Sequence, residues 1–88
     1  MQAKNLLDIL GKNEFRKEGD AFHAPSGVSC SVYLGVGDDA LVIDRVSTVE
    51  VAGDIATIVT LRRERYAVEV VEVRAVRVTP EASGPGYR

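Results

Sequence analysis

The chain has 88 residues, a formal charge of −2 and 45% hydrophobic residues, which makes one domain near the lower end of what buries a self-sufficient core without disulfides or metal. Its single cysteine, Cys30, excludes an intramolecular disulfide, and the net negative charge disfavours a strongly basic nucleic-acid binder. No stretch approaches the roughly 20 consecutive apolar residues that span a bilayer, and the N-terminus lacks the apolar run of a signal peptide, so the expected setting is soluble, reducing and cytoplasmic.

Ala3, Leu6, Leu7 and Leu10 follow the i, i+3, i+4, i+7 spacing of an apolar helical stripe, and Gly11 is a natural stop, which predicts a helix over 3–11. Lys4 and Asp8, then Asp8 and Lys12, are placed for i,i+4 pairs. So short a helix does not persist alone in water. Its leucines must therefore cap one open end or face of the rest of the domain, or insert into a groove on a partner.

Glu14 to Ala24 reads as a hairpin or an edge strand around Glu18-Gly19-Asp20, and a hairpin would set Phe15 and Phe22 facing one another across it. Pro25-Ser26-Gly27 ends that element. A clean alternation follows, with Val28, Cys30, Val32, Leu34 and Val36 on one face and Ser29, Ser31, Tyr33 and Gly35 on the other. Gly37-Asp38-Asp39 is a turn. Ala40–Val46 and Thr48–Val51 make a long or broken strand with a kink near Arg45 to Ser47, and Gly53-Asp54 is a further hairpin turn.

Ile55 to Val78 organises the chain. Six of the residues from Tyr66 to Val78 are valine, and β-branched side chains fit a pleated surface better than a helix. Arg62-Arg63-Glu64-Arg65 is a connection of hairpin length between Ile55–Leu61 and the strand starting at Tyr66. The apolar phase then slips twice. Tyr66, Val68 and Val70 share one face; Val71, Val73 and Ala75 take the next; Val76 and Val78 take a third. A one-residue slip sends every later side chain to the wrong face, so the strand must bulge or break at Val70-Val71 and at Ala75-Val76.

These elements predict a mainly β fold: a small antiparallel β-barrel or rolled sheet of about 5–7 short strands with a short N-terminal helix. The domain spans 1–79, and residues 80–88, which gather small residues, proline and glycine, are expected to be a disordered tail.

Little of the chain is suited to chemistry. Gly35-Val36-Gly37-Asp38-Asp39-Ala40 fits the letters of a dinucleotide fingerprint, but a strand-like LVIDRV follows where a helix is required. Asp38, Asp39, Asp44 and Asp54 match no calcium-loop spacing. His23 and Cys30 could form a dyad only if brought within hydrogen-bond reach, and the alternation predicts a buried, inert thiol. No catalytic, metal or cofactor site is expected, and the chain is read as not an enzyme.

The suggestive cluster is Arg62, Arg63, Arg65 and Tyr66, which Arg74 and Arg77 extend if the last strand pairs alongside. Guanidinium groups make bidentate contacts to carboxylate or phosphate and stack on bases. Charge is uneven as well. Between Asp38 and Asp54 five acidic residues stand against Arg45, whereas from Arg62 to Arg77 five arginines stand against three glutamates. Such asymmetry orients a charged partner or lets copies of the chain meet.

The run of short, bent strands behind a small helix, from Leu6 to Val78, resembles the small β-barrels that include SH3-like and Sm-like domains. The PilZ cyclic-dinucleotide receptors are barrels of similar size, but their RxxxR stretch and later [D/N]xSxxG are not in register here, and nothing is transferred from them. The expected function is a non-enzymatic protein–protein interaction or regulatory adaptor module. Its partner is another protein with an acidic surface, or a further copy of the chain in a homo-oligomer, met through the arginine hairpin, an open strand edge or the leucine helix. The alternative is a small-barrel nucleic-acid or nucleotide binder using Arg62, Arg63, Arg65 and Tyr66.

Overall fold

The computed structural model describes residues 1–81. A helix α1 (Ala3–Lys12) precedes eight strands: β1 (Arg16–Glu18), β2 (Ala21–His23), β3 (Val28–Val36), β4 (Asp39–Ile43), β5 (Val46–Ala52), β6 (Ile55–Thr60), β7 (Arg65–Glu69) and β8 (Val73–Pro80). A single 3-10 turn, Val70–Glu72, separates the last two strands. The part of the expected tail from residue 82 onward lies outside the described residues; β8 itself runs on to Pro80, and the Glu81 N–H donates to the Gly27 carbonyl at 2.9 Å.

The strands form two antiparallel sheets, one of five strands in the order β1-β2-β5-β6-β7 and one of three in the order β4-β3-β8. Both give their inner faces, with Leu6 and Leu10 of α1, to one core. The barrel expected from the sequence is not closed among the described residues, because the chain leaves one sheet for the other three times, first between β2 and β3 through Ala24 to Gly27. At Asp44 and Arg45 it passes from β4 to β5, with Arg45 at φ 55. At Val70–Glu72 the 3-10 turn carries it from β7 to β8. None of the three crossings continues a ladder, so β1, β7, β4 and β8 end the sheets as edges.

Three of the hairpins turn on the same dipeptide. Gly19-Asp20, Gly37-Asp38 and Gly53-Asp54 each sit between paired strands, with the glycines at φ 63, 60 and 61. Glycine at the first central position of a two-residue turn supplies the positive φ that matches the strand twist.

Both predicted phase slips have physical counterparts. Val70 is 2% exposed and Val71 is 64% exposed, because the 3-10 turn rolls the chain between them. The second lies one residue earlier than the alternation placed it. Leu34 pairs with Val73, Tyr33 with Ala75 and Val32 with Val76, which leaves Arg74 as the extra residue of a bulge. Val71 and Ala75, expected inside, are therefore exposed, whereas Val73 is buried and Val76 and Val78 pack against the core. The kink near Arg45 to Ser47 is present too: the β5–β6 register shifts between Val46 and Thr48.

The helix belongs to its own domain. Leu6 and Leu10 are 1% and 0% exposed, and burying each contributes about 2 kcal/mol. The Met1 ammonium donates to the carbonyls of Val73 at 2.6 Å, Val71 at 3.2 Å and Val70 at 3.4 Å, which fastens the start of α1 to the 3-10 turn and to the beginning of β8. In the first hairpin Phe15 and Phe22 are both buried, but the residue opposite Phe22 is Lys17, whose Nζ stands 6.0 Å from the ring centroid. The two phenylalanines are thus not facing partners.

Candidate partner-binding surface

The β6–β7 hairpin carries the arginine cluster, and its backbone decides where each side chain goes. The Thr60 N–H donates to the Glu64 carbonyl at 2.9 Å, the Arg63 N–H to the Thr60 carbonyl at 2.8 Å, and the Leu61 N–H to the Arg45 carbonyl at 2.8 Å. Arg63 takes φ 69 to close the turn. Thr60 is buried, and its hydroxyl is satisfied by the Glu64 N–H at 3.2 Å and by Glu64 Oε1 at 3.4 Å. The loop is therefore tied by its backbone to the hairpin ladder and to Arg45.

Within β7 the alternation splits the cluster. Tyr66 pairs with the buried Ile58 and lies on the core side of the sheet, 40% exposed because β7 is an edge; Arg65 pairs with Val59 and lies on the solvent face. Arg62 joins Tyr66 instead. Together with Val42, Ile43, Asp44, Arg45, Thr60 and Glu64 they line a recess of about 300 Å³ between β4 and the hairpin. Its two carboxylates accept hydrogen bonds from the chain's own hydroxyls: Asp44 from Ser31 at 2.7 Å and Glu64 from Thr60. Among the described residues no carboxylate lies within 4.0 Å of the Arg45 or Arg62 guanidinium, so both guanidinium groups at the recess are without an ion-pair partner, while the two carboxylates beside them are each held by a hydroxyl.

Arg74 and Arg77 do not extend this cluster, because β8 pairs with β3 and not with β7. Arg77 stands opposite Ser31, and the guanidinium of the bulged Arg74 lies over Gly35, in the space a side chain there would fill. The two flank Tyr33 on the outer face of the three-stranded sheet.

Sequence reasoning left the edges unranked, and the structure separates them. β1 is Arg-Lys-Glu throughout, and β8 is bulged, ends on a proline and is covered at its start by Met1; charge, bulges, proline and cover each protect an edge. β4 has none of these along Ala40-Leu41-Val42, where Leu41 is 51% and Val42 49% exposed. Two exposed large apolar residues at consecutive strand positions, just after a Gly-Asp turn, were the available signal in the sequence.

The residues considered for chemistry are dispersed. His23 is on the outer face of β2, its Nε2 3.2 Å from Glu18 Oε1 and its Nδ1 3.4 Å from Thr48 Oγ1, whereas Cys30 is 1% exposed on the inner face of β3 in the other sheet. Burial pushes the Cys30 thiol up to about 11. Gly35 and Gly37 lead through a turn into β4 rather than into a helix. Asp38 and Asp54 sit in separate hairpin turns, with Asp44 held by Ser31. No helix of the described residues is long and apolar enough to cross a membrane.

No protein-family model matches the chain, and no match to it is found among the curated proteins or the solved structures.

Proposed function

We propose that the protein is a non-enzymatic interaction module that takes an extended, acidic segment of another protein along the β4 edge, with Arg62 receiving the segment's carboxylates. One observation carries this reading: an unprotected apolar edge strand borders a recess whose guanidinium groups have no carboxylate partner among the described residues. The turn at Gly37-Asp38 closes on the Val36/Asp39 pair, so alternation along the ladder aims the N–H and C=O groups of Ala40 and Val42 away from β3. An added strand gains its hydrogen bonds there, and the side chains beside Leu41, Val42 and Tyr66 set its sequence preference. The leucine helix has no part in this, since its buried face is already spent on the core.

Selection from a displayed random-peptide library tests the reading. Enriched peptides should be acidic, should bind in extended form, and should lose at least tenfold in affinity to Arg62→Glu with Arg63→Glu, and to Val42→Lys. Binders that are basic, or that ignore both variants, contradict it.

A second reading has one observation behind it, the outer face on which Arg74 and Arg77 flank Tyr33. Arginines around an aromatic ring suit a nucleic-acid strand, whose bases stack while its phosphates are neutralised. A mixed-sequence single-stranded oligonucleotide should then bind with an affinity that falls steeply between about 50 and 200 mM salt, through release of counterions. Flat salt dependence, or binding that survives Tyr33→Ala, excludes this face.

A further inference from the structure

The β7 edge is complementary to itself. Its five residues, Arg65-Tyr66-Ala67-Val68-Glu69, run from positive through apolar, small and apolar to negative, so an antiparallel copy related by a two-fold axis at Ala67 sets Arg65 opposite Glu69, Tyr66 opposite Val68, and Ala67 opposite Ala67. We propose that two copies of the chain pair through β7 in this register, joining their five-stranded sheets into one continuous sheet of ten strands.

The ladder with β6 fixes which backbone groups are free for this. Thr60 donates to the Glu64 carbonyl at 2.9 Å and Val70 to the Asp54 carbonyl at 2.7 Å, which marks these as hydrogen-bonded pairs at the two ends of the same ladder. Alternation between them makes Ala56/Val68 and Ile58/Tyr66 hydrogen-bonded pairs as well, and leaves Ile55/Glu69, Thr57/Ala67 and Val59/Arg65 without bonds to one another. The N–H and C=O groups of Arg65, Ala67 and Glu69 therefore point out from the edge, and all three residues are exposed. With the axis at Ala67 these outward groups meet their counterparts: Ala67 with Ala67, and Arg65 with Glu69 twice. Shifting the copy by one residue sets outward groups against inward ones. Shifting it by two breaks both Arg65–Glu69 pairs.

The side chains agree with the backbone. On the solvent face two alanines meet at the axis, with Thr57 behind each, so nothing bulky holds the strands apart. On the core face Tyr66, 40% exposed in the single chain, comes against Val68 at a non-hydrogen-bonded position, where facing side chains approach most closely and aromatic with β-branched pairs are favourable. The opposite charges then close each end of the contact. A five-residue contact is small, which makes the dimer weak and dependent on concentration.

Sedimentation of the purified chain over about 10 µM to 1 mM tests this, weak interfaces being populated in that range. The mass should rise from one chain to two. Arg65→Glu alone and Glu69→Arg alone should each weaken the dimer by at least tenfold, and the double variant Arg65→Glu with Glu69→Arg should restore it. Ala67→Pro removes an outward N–H that takes no part in the β6 ladder, so it should abolish pairing while leaving the urea midpoint of the single chain nearly unchanged. A chain that stays monomeric overturns the proposal, as does a dimer that ignores these substitutions. A monomer whose Ala67→Pro variant loses an enriched peptide also overturns it, placing a foreign strand on β7. Arg62→Glu with Arg63→Glu should leave the dimer intact, so failure at the recess and failure at β7 are told apart.

Discussion

Leu61 donates its backbone N–H to the Arg45 carbonyl at 2.8 Å, which ties the loop of the arginine hairpin to the residue where the chain crosses from β4 to β5. Arg45 holds φ 55 there, a left-handed conformation that disfavours a side chain branched at Cβ. Arg45→Gly should leave stability unchanged or raise it by up to about 1 kcal/mol, whereas Arg45→Val should lower it by about 1–2 kcal/mol. Urea unfolding of the two variants measures the difference. Equal midpoints would show that the crossing does not depend on this conformation.

The helix supplies a second contrast. Leu6→Ala and Leu10→Ala each remove a core side chain and should destabilise the fold by about 2–5 kcal/mol. Leu7, 39% exposed on the same helix, should cost under about 1 kcal/mol when replaced by alanine. A helix reserved for a partner would show the reverse pattern, with little loss of stability at any of the three.

Deleting Arg74 should be tolerated. It is the extra residue of the bulge, so its removal leaves Val73, Ala75 and Val76 in simple alternation opposite Leu34, Tyr33 and Val32. Deleting Arg77 instead drives the half-buried Val78 to the solvent face and should cost about 1–2 kcal/mol, part of the value of one fully buried valine. Thermal melts that rank the two deletions the other way would contradict the register.

The β-structure was legible because valine marks the buried face of a strand at every second residue. The two slips at Val70-Val71 and near Ala75 could be seen without knowing the neighbours, and so could the Gly-Asp turns. What lay beyond the sequence was the pairing. Alternation tells which side chains share a face but not which strand lies beside them, and so the last strand was free, on paper, to bring Arg74 and Arg77 next to Arg62. In the fold the 3-10 turn carries it to the other sheet. The same limit hid the recess, whose walls come from β4 and the β6–β7 hairpin, and the barrel, which needs a ladder that the crossing at Arg45 does not continue.

The thiol gives a test with a defined sign. Cys30 is raised from 9.0 to about 11 by burial, so below pH 9 it is protonated in both folded and unfolded chains and adds no pH dependence. Between 9 and about 11 the unfolded chain releases the proton first, and stability falls as pH rises through that window. Cys30→Ala should flatten the fall. Alkylation by iodoacetamide at pH 8 should be slow in the native chain and rapid in urea; fast native alkylation would mean the thiol is accessible.

Amide hydrogen exchange, read residue by residue with and without a bound acidic peptide, is the most direct measure of recognition at a strand edge. New protection should alternate along β4, appearing at Ala40 and Val42, while the amides of α1 exchange as before. Protection that gathers on the helix and leaves Ala40 and Val42 unchanged would contradict the account.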